Sequence, residues 1–128
     1  MKLLLDTHLL LWAAMGSGRI PTRAHKCMAD PVNELLFSAA SLWEVAIKSA
    51  LRRPDFQVDV RLLRRGLLDN GYLELPVLSE HTAALDALPS IHKDPFDRIL
   101  IAQAIVEGVI LLTNDAVMAR YPAPVRLA

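Results

Sequence analysis

The chain has 128 residues, with 14 basic against 14 acidic side chains, and 53% of it is hydrophobic. That length suits a single domain, residues 1–128, around one core. Zero formal charge excludes a strongly basic nucleic-acid arm and a disordered polyelectrolyte, so a nucleic acid would have to be held by local basic clusters or through a metal.

Residues 2–5 are a short apolar run of the buried-strand type, ended by Asp6. The opening MKLLLDTHLLLWAAMG does not make a secretory signal, because Asp6 and His8 interrupt its apolar stretch. No other segment reaches the roughly 18 apolar residues needed to span a bilayer, and the expectation is a soluble cytoplasmic protein. Residues 8–15 read as a helix stopped by Gly16 and Gly18, and 21–29 as a second helix opened by Pro21. The single cysteine, Cys27, cannot form an internal disulfide, which fits a reducing compartment and a small buried hydrophobe.

Residues 34–38 form a second buried strand and 41–51 a helix, broken by Pro54. A helix over 58–70 carries an apolar stripe of Leu62, Leu63, Leu67 and Leu68 and is closed by Gly71. Residues 72–77 alternate like a strand, and Ser79 caps a helix over 79–88 with Glu80 in its first turn. The helix over 95–107 is apolar on most sides and so buried; Gly108 ends it. Strands over 109–113 and, at an edge, 125–127 complete the chain. Strands alternating with helices predict an α/β fold, a central parallel sheet of four to five strands flanked by helices on both faces. The high apolar fraction predicts exposed patches and an oligomer.

In such a sheet, ligands bind outside the carboxyl ends of the strands. Asp6 follows the first strand directly, and Asp115 comes two residues past the strand over 109–113. Each could equally be a turn or cap residue. Glu44 lies on one helical face with Ser41 and Lys48, where Glu44 and Lys48 make a favoured i, i+4 pair. In HKDPFDRILIAQA, Asp94 before Pro95 reads as an N-cap, leaving Asp97 at N3 as the freer carboxylate. Hard oxygen ligands of this kind suit Mg²⁺ or Mn²⁺, and no Cys/His spacing suits zinc. Ions among clustered carboxylates can polarise a phosphoryl oxygen and activate water.

Four segments in order, LLLDTHLLLW, SAASLWEVAIK, HKDPFDRILIAQA and LLTND, resemble the PIN-domain family, and within it the VapC-type toxins of bacterial toxin–antitoxin pairs. The resemblance covers essentially the whole chain. It implies a parallel sheet flanked by helices, a metal site mapping onto Asp6, Glu44, Asp97 and Asp115, and Mg²⁺- or Mn²⁺-dependent endonuclease action on RNA. It also implies a homodimer, and a VapB-like antitoxin that inserts a segment into the acidic groove, often presenting a basic side chain. Asp94 belongs to the same motif and could line the groove. Thr7 and Thr113 read as turn residues or as partners of a metal-bound water, and His8 as a satisfied structural histidine.

RNA phosphates call for basic groups beside the acids. Lys48, Arg52 and Arg98 are the first candidates, with Arg53, Arg61, Arg64 and Arg65 nearby in sequence. Single-stranded or looped RNA is the expected form, since its bases are exposed. Two other readings stay open: a small-molecule metal phosphohydrolase, and a non-catalytic module whose acids grip a basic partner. A haloacid-dehalogenase-type site would need an acid two residues after Asp6, where His8 stands, and a nucleotide fold would need a glycine-rich loop there.

Overall fold

The computed structural model describes residues 1–51, 54 and 56–128. In chain order the elements are β1 (Lys2–Leu5), α1 (Thr7–Ala14), α2 (Thr22–Ala29), β2 (Glu34–Ser38), α3 (Ala39–Ala50), α4 (Val60–Asp69), β3 (Leu73–Leu75), α5 (Ser79–Ala84), α6 (Pro95–Glu107), β4 (Ile110–Thr113) and β5 (Val125–Leu127). Short 3₁₀ turns follow α5 at Leu85–Ala87 and β4 at Met118–Arg120.

The five strands form one sheet in the order β3-β2-β1-β4-β5, and every pairing is parallel. β1 is central: Leu3 aligns with Leu35 of β2 and Ile110 of β4, and Leu4 with Leu36 and Leu111. A strand covered on both faces needs apolar side chains at every position, which is why Leu3, Leu4 and Leu5 are all fully buried. Leu3 and Leu5 pack on one face with Leu9, Leu10, Val45, Leu63 and Leu67 from α1, α3 and α4. Leu4 packs on the other with Leu100, Ile101 and Ala104 from α6. The chain runs outward from β1 through β2 to β3, then returns to build β4 and β5 on the other side. The switch point therefore lies between the carboxyl ends of β1 and β4.

The α/β alternation read from the sequence is the fold observed, with shifted boundaries. The helix expected from residue 41 begins at Ala39, because the Ser38 hydroxyl accepts the N–H of Ala40 and caps it. The helix expected from residue 58 begins at Val60, capped by Asp59, whose carboxylate accepts from the N–H groups of Arg61 and Leu62. The strand expected over 72–77 shortens to Leu73–Leu75, since Pro76 has no N–H to continue a ladder. Ser79 is the first residue of α5 rather than its cap; the N–H of Leu78 instead donates to Nδ1 of His81. Gly108 closes α6 at φ +66°, a conformation that other residues adopt only with strain. Cys27 is half-buried against the core. No helix among the described residues is long and apolar enough to cross a membrane.

Candidate functional site

Asp6 leaves β1 at the N-cap position of α1, its own N–H still bonded to the carbonyl of Leu112 in β4. It is 1% exposed, and its Oδ2 accepts the Thr113 hydroxyl at 2.6 Å. Thr113 in turn accepts the N–H of Asp115 at 3.0 Å, so the ends of β1 and β4 are tied through one hydroxyl. Opposite, the Thr7 and Ser41 hydroxyls meet at 2.8 Å and fix the start of α1 against α3. That contact holds Glu44, one turn on from Ser41, at the same end of the sheet. Glu44 is 2% exposed, and its Oε2 accepts Lys48 Nζ at 2.6 Å. Two oxygens here, Asp6 Oδ1 and Glu44 Oε1, are buried and have no hydrogen-bond partner among the described residues.

The N-terminus of α6 supplies the next acid. Asp94 caps the helix through the N–H groups of Phe96 and Asp97, with Pro95 at N1, as the motif predicts. Asp97 is left with its carboxylate turned toward the other acids. Burial, then the charges of Asp6, Asp94 and Glu44, push its pKa up to about 7, while His92 acts in the opposite sense. Burial also raises the pKa of Asp6 against the Thr113 hydrogen bond, and Glu44 adds to the rise. Charges that act on Asp97 and Asp6 in this way lie close by in the same low-dielectric space. Asp6, Glu44 and Asp97 are thus brought together, although they lie far apart in sequence.

Asp115 stands at the rim. Its Oδ1 accepts the N–H of Val117 at 2.8 Å, and its Oδ2 lies 3.3 Å from His92 Nε2. His92 Nε2 is also 3.0 Å from Asp97 Oδ2. Sequence reasoning gave His92 no role, although it is the first residue of the HKDPFD motif; its place there is the one signal that could have singled it out. His8, read as a satisfied structural histidine, is exposed and stacks obliquely on Trp12, because α1 buries Thr7, Leu9, Leu10 and Leu11 and turns position 8 outward.

Of the basic candidates, Lys48 reaches the acids. Arg98 spends Nη1 on the Pro89 carbonyl at 2.9 Å and the Tyr121 hydroxyl at 3.2 Å, which braces the loop leading into α6. Arg61, Arg64 and Arg65 lie exposed on α4, with Arg64 paired to Glu74. Arg52 and Arg53 lie outside the described residues.

The donor set fits a hard divalent cation. Asp6, Glu44 and Asp97 offer carboxylate oxygens, the charges of Asp6 and Glu44 act against that of Asp97, and two of the buried oxygens lack a donor, a condition that costs about 1–3 kcal/mol per group and more when charged. A second group of similar composition, Glu80, His81 and Glu107, does not fit one. There Nδ1 of His81 accepts a backbone N–H, so Nε2 must carry the ring proton, which it donates to Glu107 at 2.6 Å. His81 fastens α5 to α6.

These features define a class: α/β domains that gather acids at the switch point of a parallel sheet. Within it the chain belongs to the PIN-domain family, whose model matches residues 3–124. The fold is similar to a crystal structure of VapBC2 from Rickettsia felis bound to a DNA fragment from their promoter (TM-score 0.69, 15% identity, 99% of this chain and 98% of that one). It is similar also to DNA-bound VapBC from Salmonella typhimurium (TM-score 0.64, 14% identity, 100% and 97%) and to VapBC-1 from nontypeable Haemophilus influenzae (0.62, 17%, 94% and 91%). A comparison with curated proteins found no match.

Proposed function

We propose that this protein is a metal-dependent endoribonuclease and the toxin of a VapBC-type toxin–antitoxin pair. The observation that carries the catalytic part is the pair of buried, unpartnered oxygens, Asp6 Oδ1 and Glu44 Oε1, in a space shared with Asp97. Asp6, Glu44 and Asp97 would hold Mg²⁺ or Mn²⁺, and Asp115 completes the acidic ring. When bound, such an ion offsets the repulsion among the acids, polarises a phosphate oxygen and lowers the pKa of water. The Thr113 hydroxyl keeps Asp6 in one rotamer by holding Oδ2, which leaves Oδ1 directed into the site. Lys48, half-exposed and hydrogen-bonded to Glu44, is placed to meet the charge of an RNA phosphate. Arg98 enters as a brace for the loop before α6 rather than as the first phosphate contact.

Two surfaces support the reading of the partners. A groove of about 800 Å³ is lined by His8, Trp12, Arg19, Phe56 and Lys48, the last of them bonded to Glu44. It adjoins a mixed one of about 560 Å³ at Met28, Leu62, Tyr72, Asp59 and Asn70; the two share Met15 and Val58. An antitoxin segment with apolar side chains and a basic end would fill both. On another face, Ala40, Trp43, Val77, Phe96 and Ile99 line an apolar recess of about 490 Å³, and the Trp43 and Phe96 rings pack edge to face at 5.1 Å. Trp43 is 64% exposed, which favours burial against a second copy in a homodimer. A VapC-type toxin would act on cytoplasmic RNA.

The test is cleavage of mixed cellular RNA by the purified chain with Mg²⁺, Mn²⁺ or EDTA, beside Asp97→Asn. Discrete fragments that disappear with EDTA, and fall at least about 100-fold in the variant, are expected for a group acting on the ion and substrate. Cleavage indifferent to both would remove the assignment.

A further inference from the structure

The His92 ring lies against the carboxylates of both Asp97 and Asp115, and its ring chemistry limits what it does there. Its Nδ1 lies 3.1 Å from the N–H of Asp94, which donates to it. A ring nitrogen that accepts carries no proton, so the proton sits on Nε2. Nε2–H is a donor and not a free lone pair, so His92 is no metal ligand in this arrangement. That N–H hydrogen-bonds Asp115 Oδ2 at 3.3 Å, with Asp97 Oδ2 3.0 Å from the same nitrogen. The three polar atoms lie within 4.8 Å of one another, close for two carboxylates with nothing between them.

The backbone that carries the ring is also fixed. The backbone N–H of His92 donates to the Tyr121 hydroxyl at 2.7 Å, and Arg98 donates to the same hydroxyl. Tyr121 is buried in the core beneath α6. Asp115 differs from Asp6 and Glu44 in having both oxygens engaged by protein donors, Val117 N–H on one and His92 on the other.

From this geometry we propose that His92 is a positioning residue: its Nε2–H is bonded to Asp115 while the same nitrogen rests against Asp97, so that Asp115 acts on the ion site by fixing the His92 ring and not as a ligand. The inference rests on the metal-dependent reading above and deepens it. An outer partner of this kind typically contributes 10–100-fold in metal affinity.

The experiment titrates Mn²⁺ into the full-length chain and reads free ion by electron paramagnetic resonance, with thermal midpoints measured in parallel. His92→Asn places an amide oxygen where Nδ1 accepts from Asp94 but has no group at the Nε2 position; His92→Gln offers a donor near Nε2. We expect His92→Asn to weaken Mn²⁺ binding about tenfold or more with a midpoint near that of the parent, and His92→Gln to recover most of the loss. Asp115→Asn combined with His92→Asn should lose no more than the weaker-binding single variant, because the two act in series. Parent-like binding by His92→Asn, or losses that add in the double variant, would overturn the proposal while leaving the metal site standing. Absence of Mn²⁺ binding by the parent chain itself would overturn both.

Discussion

Asp97 concentrates the electrostatics of the site. Its pKa of about 7 means that, without an ion, the folded chain binds a proton there which the unfolded chain releases near 3.8. Between those values the folded state holds more protons, so stability falls as pH rises through that window and levels off above about 7. Each pKa unit corresponds to about 1.4 kcal/mol, and the raised pKa of Asp6 acts in the same direction. Urea unfolding in EDTA should therefore show a protein less stable at pH 7.5 than at pH 5 by an amount on the order of 1–4 kcal/mol. Mg²⁺ should recover stability at pH 7.5 by binding the folded state alone, and Asp97→Asn should flatten the slope. Stability rising over the same interval would mean that Asp97 is ionised and stabilised when folded. Asp97 at N3 was legible in the motif. The repulsion that raises its pKa was not, because Asp6 and Glu44 meet it only across the sheet.

At the level of elements, the site depends on how strands and helices begin and end. Asp94 shows that a local signal can be read correctly: an acid before proline at N1 caps α6, and it does so through two backbone N–H groups. Asp94→Ala should cost about 1 kcal/mol of stability, within the usual 0.5–2 kcal/mol for a lost cap, and a denaturant midpoint would register it. A loss far above that range would mean that Asp94 also supports the acids directly. The caps at Ser38 and Asp59 were less legible, since Ser41 and Val58 made equally plausible starts; only the hydroxyl and carboxylate contacts decide between them. The same holds for α5, where His81 replaces the expected serine cap because its ring is locked between Leu78 and Glu107.

For the whole molecule, the apolar excess is spent on both faces of the sheet and on a surface remainder at Trp43, Val77 and Phe96. If that remainder closes a homodimer, sedimentation should show a two-chain species, and Trp43→Glu should shift it toward monomer with the fold kept by circular dichroism. A monomeric parent chain would remove the dimer and leave the recess for another partner.

The order of strands and helices was written locally: continuous Leu runs for strands buried on both faces, proline and glycine for the breaks, and an Asp-Pro cap for α6. Those signals depend on neighbours within a few residues, so the sequence by itself determined them, along with the chemical type of the site. What only the tertiary structure decided is which carboxylates converge, which histidine joins them and which arginine is already engaged. Asp6 and Thr113 are 107 residues apart yet bonded at 2.6 Å, and His92 meets Asp115 across 23 residues. Such contacts arise because parallel crossovers return distant strand ends to one edge of the sheet, a consequence of chain path and packing that local patterning does not encode.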